Sequence, residues 1–294
     1  MCTSLTLTAA DGTHLLARTM DFPNVDPWRP TVLKAGTKWR PILGEQHLTQ
    51  YRIVGSARHL NKHYLFGDGL NSAGLSCAEL YFPNRVHYYD EPRADMTNLT
   101  PQDLILWVLS HHSTVAEVAA DLENVALIGK VWYAENKVYP FHWLLADSTG
   151  AVAVLEPTAH SLRLIDDPLH VLTNTPELAD HQKRVNRFLT TDSAHLPSAA
   201  SQWLRDNKPL PEGPIPTNRF IRTAINLWGQ PQPAAAKTAM SRAKAILDQV
   251  VIPKQTGKQP TNHNFTHYIS IIDMSHLRYL QLPTDGTPQS EINL

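Results

Sequence analysis

Apolar and polar positions alternate from the start of the chain. In SLTLT, Leu5 and Leu7 stand between threonines, the period-two pattern of a half-buried strand. Asp11-Gly12 is a tight-turn dipeptide and HLLART returns after it, which predicts a β-hairpin with a two-residue turn. YRIVGSA and AGLSCAELYF read as further strands. Helical spacing then takes over: Thr100 can cap ahead of Pro101, and Thr114 with Glu117 forms a capping box before VAEVAADL. FHWLLADSTGAVAVLEP predicts a second hairpin about Ser148-Thr149-Gly150, and SLRLI and HVLTN add strands.

From about residue 176 to 216 the chain is polar and proline-rich, with a few helix-like patches, and reads as an excursion from the core. NRFIRTAINLW and AAAKTAMSRAKAILDQVV are helical, with Met240, Ala243, Leu247 and Val250 on one face. THYISIIDMSHLRYLQL closes with strands. The order of strands, helices, strands, helices and strands predicts one α+β domain over residues 1–294 with large antiparallel sheets.

Composition narrows the function. Net charge is −1 and charged residues make up 18% of the chain, so no basic surface points to nucleic acid or an anionic membrane. The start lacks a basic region ahead of an apolar one, and no apolar run is long enough to span a bilayer. The expectation is a cytoplasmic protein with reduced thiols. Two cysteines allow at most one bridge, and Cys77, in the apolar GLSCAEL, reads as a buried, inert thiol. His263 and His267 are four apart, but NHNFTHYISI reads as loop and strand without an obvious third ligand. His111-His112 reads as a helix end, and no GxSxG elbow, phosphate loop or CxxC is present. No metal or cofactor is expected.

Cys2 is the residue with chemistry to offer. Removal of Met1 would give one residue both a thiol and a free α-amine. An α-amine with a pKa of roughly 7.7–8.0 suits a general base, and a thiol reacts as thiolate. With a two-residue turn, Cys2 faces Asp21, whose carboxylate could hold the amine. Arg18 then faces Leu5 on the opposite side of the sheet, so a bulge between about residues 13 and 21 is expected to turn its guanidinium toward Cys2.

MCTSLTLT, LLARTMDF, GLNSAGLSCAELYFP, FHWLLADSTG, HVLTNTPEL and NRFIR, in this order, resemble the choloylglycine hydrolase family, and THYISIIDM is also similar. The family contains bile salt hydrolases and penicillin V acylases. The resemblance implies an N-terminal nucleophile hydrolase, a four-layer αββα sandwich of two antiparallel sheets between helical layers, that cleaves linear amides. It implies Cys2 as nucleophile, Arg18 and Asp21 as the pair that contacts thiol and amine, and Asn174 as a side-chain donor to the oxyanion. It also implies Arg219 near the catalytic centre and the backbone N–H of Tyr81 as a second oxyanion donor. At Tyr81, bile salt hydrolases typically carry asparagine and penicillin V acylases tyrosine, which places penicillin V acylase first, conjugated bile salts second and acyl-homoserine lactones third. A non-catalytic small-molecule binding protein on the same fold is the contrasting class. Met20, Phe22, Trp28, Tyr64, Leu65 and Phe66 could line an apolar pocket for the acyl group of a small-molecule amide. Family members are often tetramers, partly held by a loop between the Asn174 and Arg219 matches, so a homo-oligomer is expected.

Overall fold

The computed structural model describes residues 2–23, 28–60, 63–131, 137–254 and 264–294. Two antiparallel sheets pack face to face. The first, in spatial order, comprises β14 (Val171–Leu172), β1 (Thr3–Thr8), β2 (His14–Phe22), β15 (Phe265–Asp273), β16 (Arg278–Pro283) and β17 (Ser290–Asn293). The second comprises β13 (Leu164–Asp166), β12 (Val152–Leu155), β11 (Phe141–Asp147), β8 (Leu75–Tyr81), β7 (His63–Asn71), β6 (Ile53–Leu60) and β3 (Arg29–Leu33). Two short pairs, β4 (Lys38–Trp39) with β5 (His47–Leu48) and β9 (Thr97–Leu99) with β10 (Val125–Leu127), lie outside them.

Helices cover both outer faces. α1 (Leu104–His111) packs on β7 and β8, and α2 (Val115–Asp121) on β11. α5 (Pro216–Trp228) covers β1 and β14, and α6 (Ala236–Asp248) covers β1, β2 and β15. The result is the αββα sandwich implied by the family resemblance. α1 is buried almost throughout, as LILWVLS requires, whereas α6 buries Ala239, Ala243, Ile246 and Leu247 along one stripe. Thr114 caps α2 by accepting from Glu117 N at 3.2 Å, while the Glu117 carboxylate returns to Ser113 N.

The stretch at 176–216 is more regular than its composition predicts. It forms α3 (Leu178–Leu189) and α4 (Leu196–Arg205), both packed on α5. Leu178, His181, Val185 and Leu189 are the buried positions of α3, spaced three and four apart. The polar majority on the solvent side hides this pattern from a reading by composition. No described helix is long and apolar enough to cross a membrane.

The opening hairpin differs from the expected register by one residue. Ala9 N donates to Thr13 O at 2.9 Å and Gly12 N to Ala9 O at 3.1 Å, so the loop holds three residues, Ala10-Asp11-Gly12. Gly12 closes it at φ +86°, a left-handed conformation that glycine adopts without a Cβ penalty. The ladder pairs Ser4 with Arg18 and Thr3 with Thr19. Paired residues share a face, so Arg18 lies on the side of Ser4, and hence of Cys2, in an unbroken strand. The bulge expected in β2 is absent; the turn supplies the missing residue instead. An irregularity does occur opposite this point, in β15 between Thr266 and Tyr268.

Gly12→Ala places a Cβ at positive φ with open space around it. The expected cost is about 1 kcal/mol, read as a fall of a few degrees in Tm; an unchanged Tm would contradict this turn.

Candidate active site

Cys2 sits at the start of β1, where three elements converge. Its backbone nitrogen donates to Asn174 Oδ1 at 2.7 Å, its carbonyl accepts from Arg219 Nη1 at 2.5 Å, and its Sγ lies 3.7 Å from the Asp21 carbonyl. Arg219, on α5, is fully buried and also donates to Thr3 Oγ1 at 2.5 Å and Asn174 Oδ1 at 2.7 Å. Burial lowers its pKa, and the charges of Asp21 and Cys2 oppose that fall.

Asn174 follows β14 and is oriented by its partners. Two donors converge on Oδ1, which leaves Nδ2 to donate to the Tyr81 carbonyl at 2.7 Å. An amide nitrogen carries two hydrogens, so one remains for a further acceptor. Tyr81 ends β8 opposite Phe141, and Phe82 N donates to Pro140 O. That makes Tyr81–Phe141 a non-hydrogen-bonded pair, so the Tyr81 N–H is turned away from β11.

Asp21 and Arg18 project from opposite faces of β2. Asp21 accepts from Thr19 Oγ1 at 3.3 Å and from Thr266 Oγ1 at 2.6 Å. Arg18 is buried between the sheets. Its Nε donates to Thr19 O at 3.0 Å and its Nη1 to Gly67 O at 2.5 Å, with Asp68 Oδ2 at 3.5 Å. Burial disfavours its charge, but the acidic groups around it, Cys2 and Asp68 among them, outweigh that and raise its pKa above the ordinary arginine value. Cys77 is fully buried and its pKa is raised, mainly by burial, as expected of an inert thiol.

The sequence reading missed a supporting layer. His142 Nε2 contacts the Thr173 carbonyl at 2.7 Å, and His181 Nε2 contacts the Asn174 carbonyl at 2.8 Å. Both rings are buried and stacked, His142 on Phe82 and His181 on Phe220. They fix the two peptides that aim Asn174. In the sequence His142 stands in the apolar run FHWLL and His181 between Asp180 and Gln182, and neither position marks a site residue.

The six expected pocket residues divide. Phe22 and Trp28 meet edge-to-face at 6.1 Å, Phe22 reaches Tyr139 at 5.9 Å, and Trp28 reaches Tyr268 at 6.3 Å. Met20 is drawn into the same region, 3.7 Å from Arg18 Nη2. Arg58 lies over Phe22 and Trp28 at 5.7 and 5.9 Å, and Lys137 lies 4.8 Å from the Tyr139 ring. A groove of about 910 Å³ shares Trp28 and Tyr268 with this cluster and adds Lys254, Phe265 and His267. Phe66 instead packs beside Gly55 on the face that carries α1, with Tyr64 6.0 Å away, while Leu65 is fully buried opposite Arg58. Phe66 and Tyr64 pack away from this cluster, whereas Leu65, paired with Arg58, faces the same side as that residue. His263 lies outside the described residues; His267 Nε2 contacts the Phe22 carbonyl at 3.1 Å.

The sandwich is the N-terminal nucleophile hydrolase fold. A mutant of the conjugated bile acid hydrolase from Clostridium perfringens superposes with a TM-score of 0.84, covering 100% of this chain and 92% of that one at 24% identity. Penicillin V acylase from Agrobacterium tumefaciens follows at 0.75, covering 100% and 86% at 19% identity. Residues 2–294 match the linear amide C–N hydrolases of the choloylglycine hydrolase family, and the chain belongs to that family. A bile salt hydrolase/transferase of Clostridium perfringens is 32% identical over 76% of this chain and 71% of its own length. A conjugated bile acid hydrolase of Lactobacillus acidophilus is 26% identical over 86% and 83%. The protein is thus an amidohydrolase of linear C–N bonds.

His181 gives a pH test of the supporting layer. Burial lowers its pKa from 6.5 to about 4. Between these values the unfolded chain binds a proton that the folded one does not, so its contribution to stability is complete above pH 6.5 and lost as pH falls toward 4. Denaturant unfolding at pH 7 and pH 5 should show a larger acid loss for the wild type than for His181→Gln. Buried Asp103 and Asp167, raised to about 6 and about 7, act in the opposite sense but equally in both proteins. Equal acid losses would contradict a buried neutral imidazole.

Proposed function

We propose that Cys2, freed by removal of Met1, is the nucleophile of this amidohydrolase. The observation that carries the reading is the nitrogen of Cys2, held at 2.7 Å by an Asn174 oxygen that the buried Arg219 also binds. Once Met1 leaves, that nitrogen is an α-amine in a fixed position next to its own thiol. It accepts the thiol proton, directly or through water, as Sγ attacks the substrate carbonyl. Arg18 favours the thiolate from the inter-sheet side.

The tetrahedral oxyanion is met by the second Asn174 Nδ2 hydrogen and the Tyr81 N–H. One such donor is typically worth about 3 kcal/mol in the barrier. The C–N bond then breaks as the protonated amine gives its proton to the leaving nitrogen. Water adds to the thioester, releasing the acid and restoring the thiol. Every group in this sequence comes from the chain, the substrate or water.

For the acyl group, the aromatic cluster of Phe22, Trp28, Tyr139 and Tyr268 favours a broad apolar moiety. The cationic groups of Arg58 and Lys137 over those rings suit an acid function elsewhere on the substrate. Conjugated bile salts fit this description, and the named hydrolase relatives act on them. The preference for penicillin V expected from Tyr81 gains no advantage from these relatives. It stands as the second reading, because the Tyr81 ring is only partly buried and can stack on a phenoxy group.

Two measurements test the assignment. Intact mass of active protein should show loss of Met1, and Cys2→Ala should abolish hydrolysis of glycine- and taurine-conjugated bile acids and of penicillin V. Active protein that retains Met1, or a Cys2→Ala variant that still turns over, would refute the nucleophile; a wild type that binds these amides without cleaving them would be a binding protein on the same fold. For the selector, Tyr81→Asn should lower kcat/KM for penicillin V relative to conjugated bile acid a few-fold, from loss of ring stacking worth roughly 0.5–1.5 kcal/mol. An unchanged ratio removes Tyr81 from that role.

A further inference from the structure

Behind Arg18, away from Cys2, lies a buried polar chain that the proposed reaction does not use. Asp68 on β7 is fully buried, with Oδ2 3.5 Å from Arg18 Nη1. The same Oδ2 accepts from the Tyr268 hydroxyl at 2.7 Å, and Oδ1 accepts from the Tyr279 hydroxyl at 2.5 Å. Ser56 Oγ lies 2.6 Å from the Tyr279 hydroxyl and accepts from Gln281 Nε2 at 2.6 Å. Asp68 and Ser56 belong to one sheet; Tyr268, Tyr279 and Gln281 belong to the other. The chain therefore stitches the sheets together directly behind the site.

The distances are unequal in an informative way. Both hydroxyls are in close hydrogen bonds, whereas the guanidinium, at 3.5 Å, is at the long limit of a hydrogen bond. Both phenols have pKa values raised, first by burial and then by Asp68, so they remain donors. A carboxylate bound by two donors has less charge to offer a third group. Arg18 meanwhile keeps anchors that do not involve Asp68, the carbonyls of Thr19 and Gly67.

We propose that Asp68 is a positioning residue that competes with the Cys2 thiolate for Arg18, and that Tyr268 and Tyr279 restrain this competition. The tyrosines hold the carboxylate back from the guanidinium, so that more of the positive charge is left for the sulfur. Among the described residues, the other charged or titratable groups around the thiol are its own α-amine, Asp21 on β2, Arg219 from α5 and Glu79 from β8. Glu79 is buried and its pKa is raised well above the usual range, mainly by burial, which holds it toward its neutral form. The proposal rests on the reading of Cys2 as nucleophile, but its test needs no substrate.

The experiment follows alkylation of Cys2 by iodoacetamide against pH, counted by intact mass, with Cys2→Ala as the blank for the buried Cys77. Asp68→Asn removes the competing anion and leaves Arg18 on its carbonyl anchors, so the thiol midpoint should fall, by about one unit. Tyr279→Phe keeps the anion and removes one restraint, so the midpoint should rise, by about half a unit or more. Tyr268→Phe should also raise it. A purely structural role would reduce labelling or activity without moving the midpoint in opposite directions. Should Asp68→Asn fail to fold, the Tyr279→Phe shift decides alone. A midpoint that is unchanged or lower in Tyr279→Phe, or higher in Asp68→Asn, overturns the proposal. If midpoints shift as expected while no amide is cleaved, the proposal stands and the hydrolase reading fails.

Discussion

Two guanidinium groups are fully buried on opposite faces of one hairpin, and most of the site follows from satisfying them. Each would be costly in the interior without partners. Arg219 reaches Cys2 O, Thr3 Oγ1 and Asn174 Oδ1 from the helical side, and Arg18 reaches Thr19 O, Gly67 O and Asp68 from between the sheets. The acceptors are drawn from β1, β2, β7 and the segment after β14, so meeting the arginines brings those elements into register. The start of the chain, usually a place of fraying, is thereby fixed.

The same arrangement divides the work between the two faces. On the helical side, Asn174 and Arg219 define where the Cys2 nitrogen sits. On the inter-sheet side, Arg18 defines the field at the sulfur. Nitrogen and sulfur belong to one residue, yet their surroundings are set by different layers of the sandwich. This lets one face be tuned with little change to the other. Gly67 is the point of closest approach: a Cβ there would lie 2.1 Å from Met20 Cε and 3.2 Å from the Tyr268 hydroxyl. A side chain there would oblige the Met20 methyl to move and would crowd Trp28 and Tyr268.

The aromatic cluster joins the two halves of the molecule. Phe22 ends the opening hairpin and Trp28 follows it, Tyr139 precedes β11, and Tyr268 comes from β15, inside the first sheet. Arg58 lies over two of these rings. Rings this large bury much area with little rotamer entropy, which gives the region a defined shape despite contributions from distant parts of the sequence.

How much of this was legible beforehand depends on the range of the interaction. Local patterns carried the strands, the helices at α5 and α6 and the hairpin at Ser148-Thr149-Gly150, because alternation and spacing report directly on which side of an element is buried. The order of the motifs carried the family, and Asp21, Asn174 and Arg219 each contact Cys2 in the structure. The register of the first hairpin was misread, since Asp11-Gly12 fits both a two-residue and a three-residue loop, and only pairing with β2 decides between them. Helices α3 and α4 were obscured by polar residues that face solvent. Asp68, Tyr268, Tyr279, His142 and His181 were invisible as site residues for a different reason. Each is an ordinary strand or helix residue in sequence, and its role arises from meeting a partner in another element or, for His181, a carbonyl seven positions back in the segment after β14. Sequence by itself determined which chemical groups are available and, within each element, which of them share a face. Tertiary structure alone decided which of them meet, because that depends on packing two sheets around charges that neither sheet can satisfy by itself.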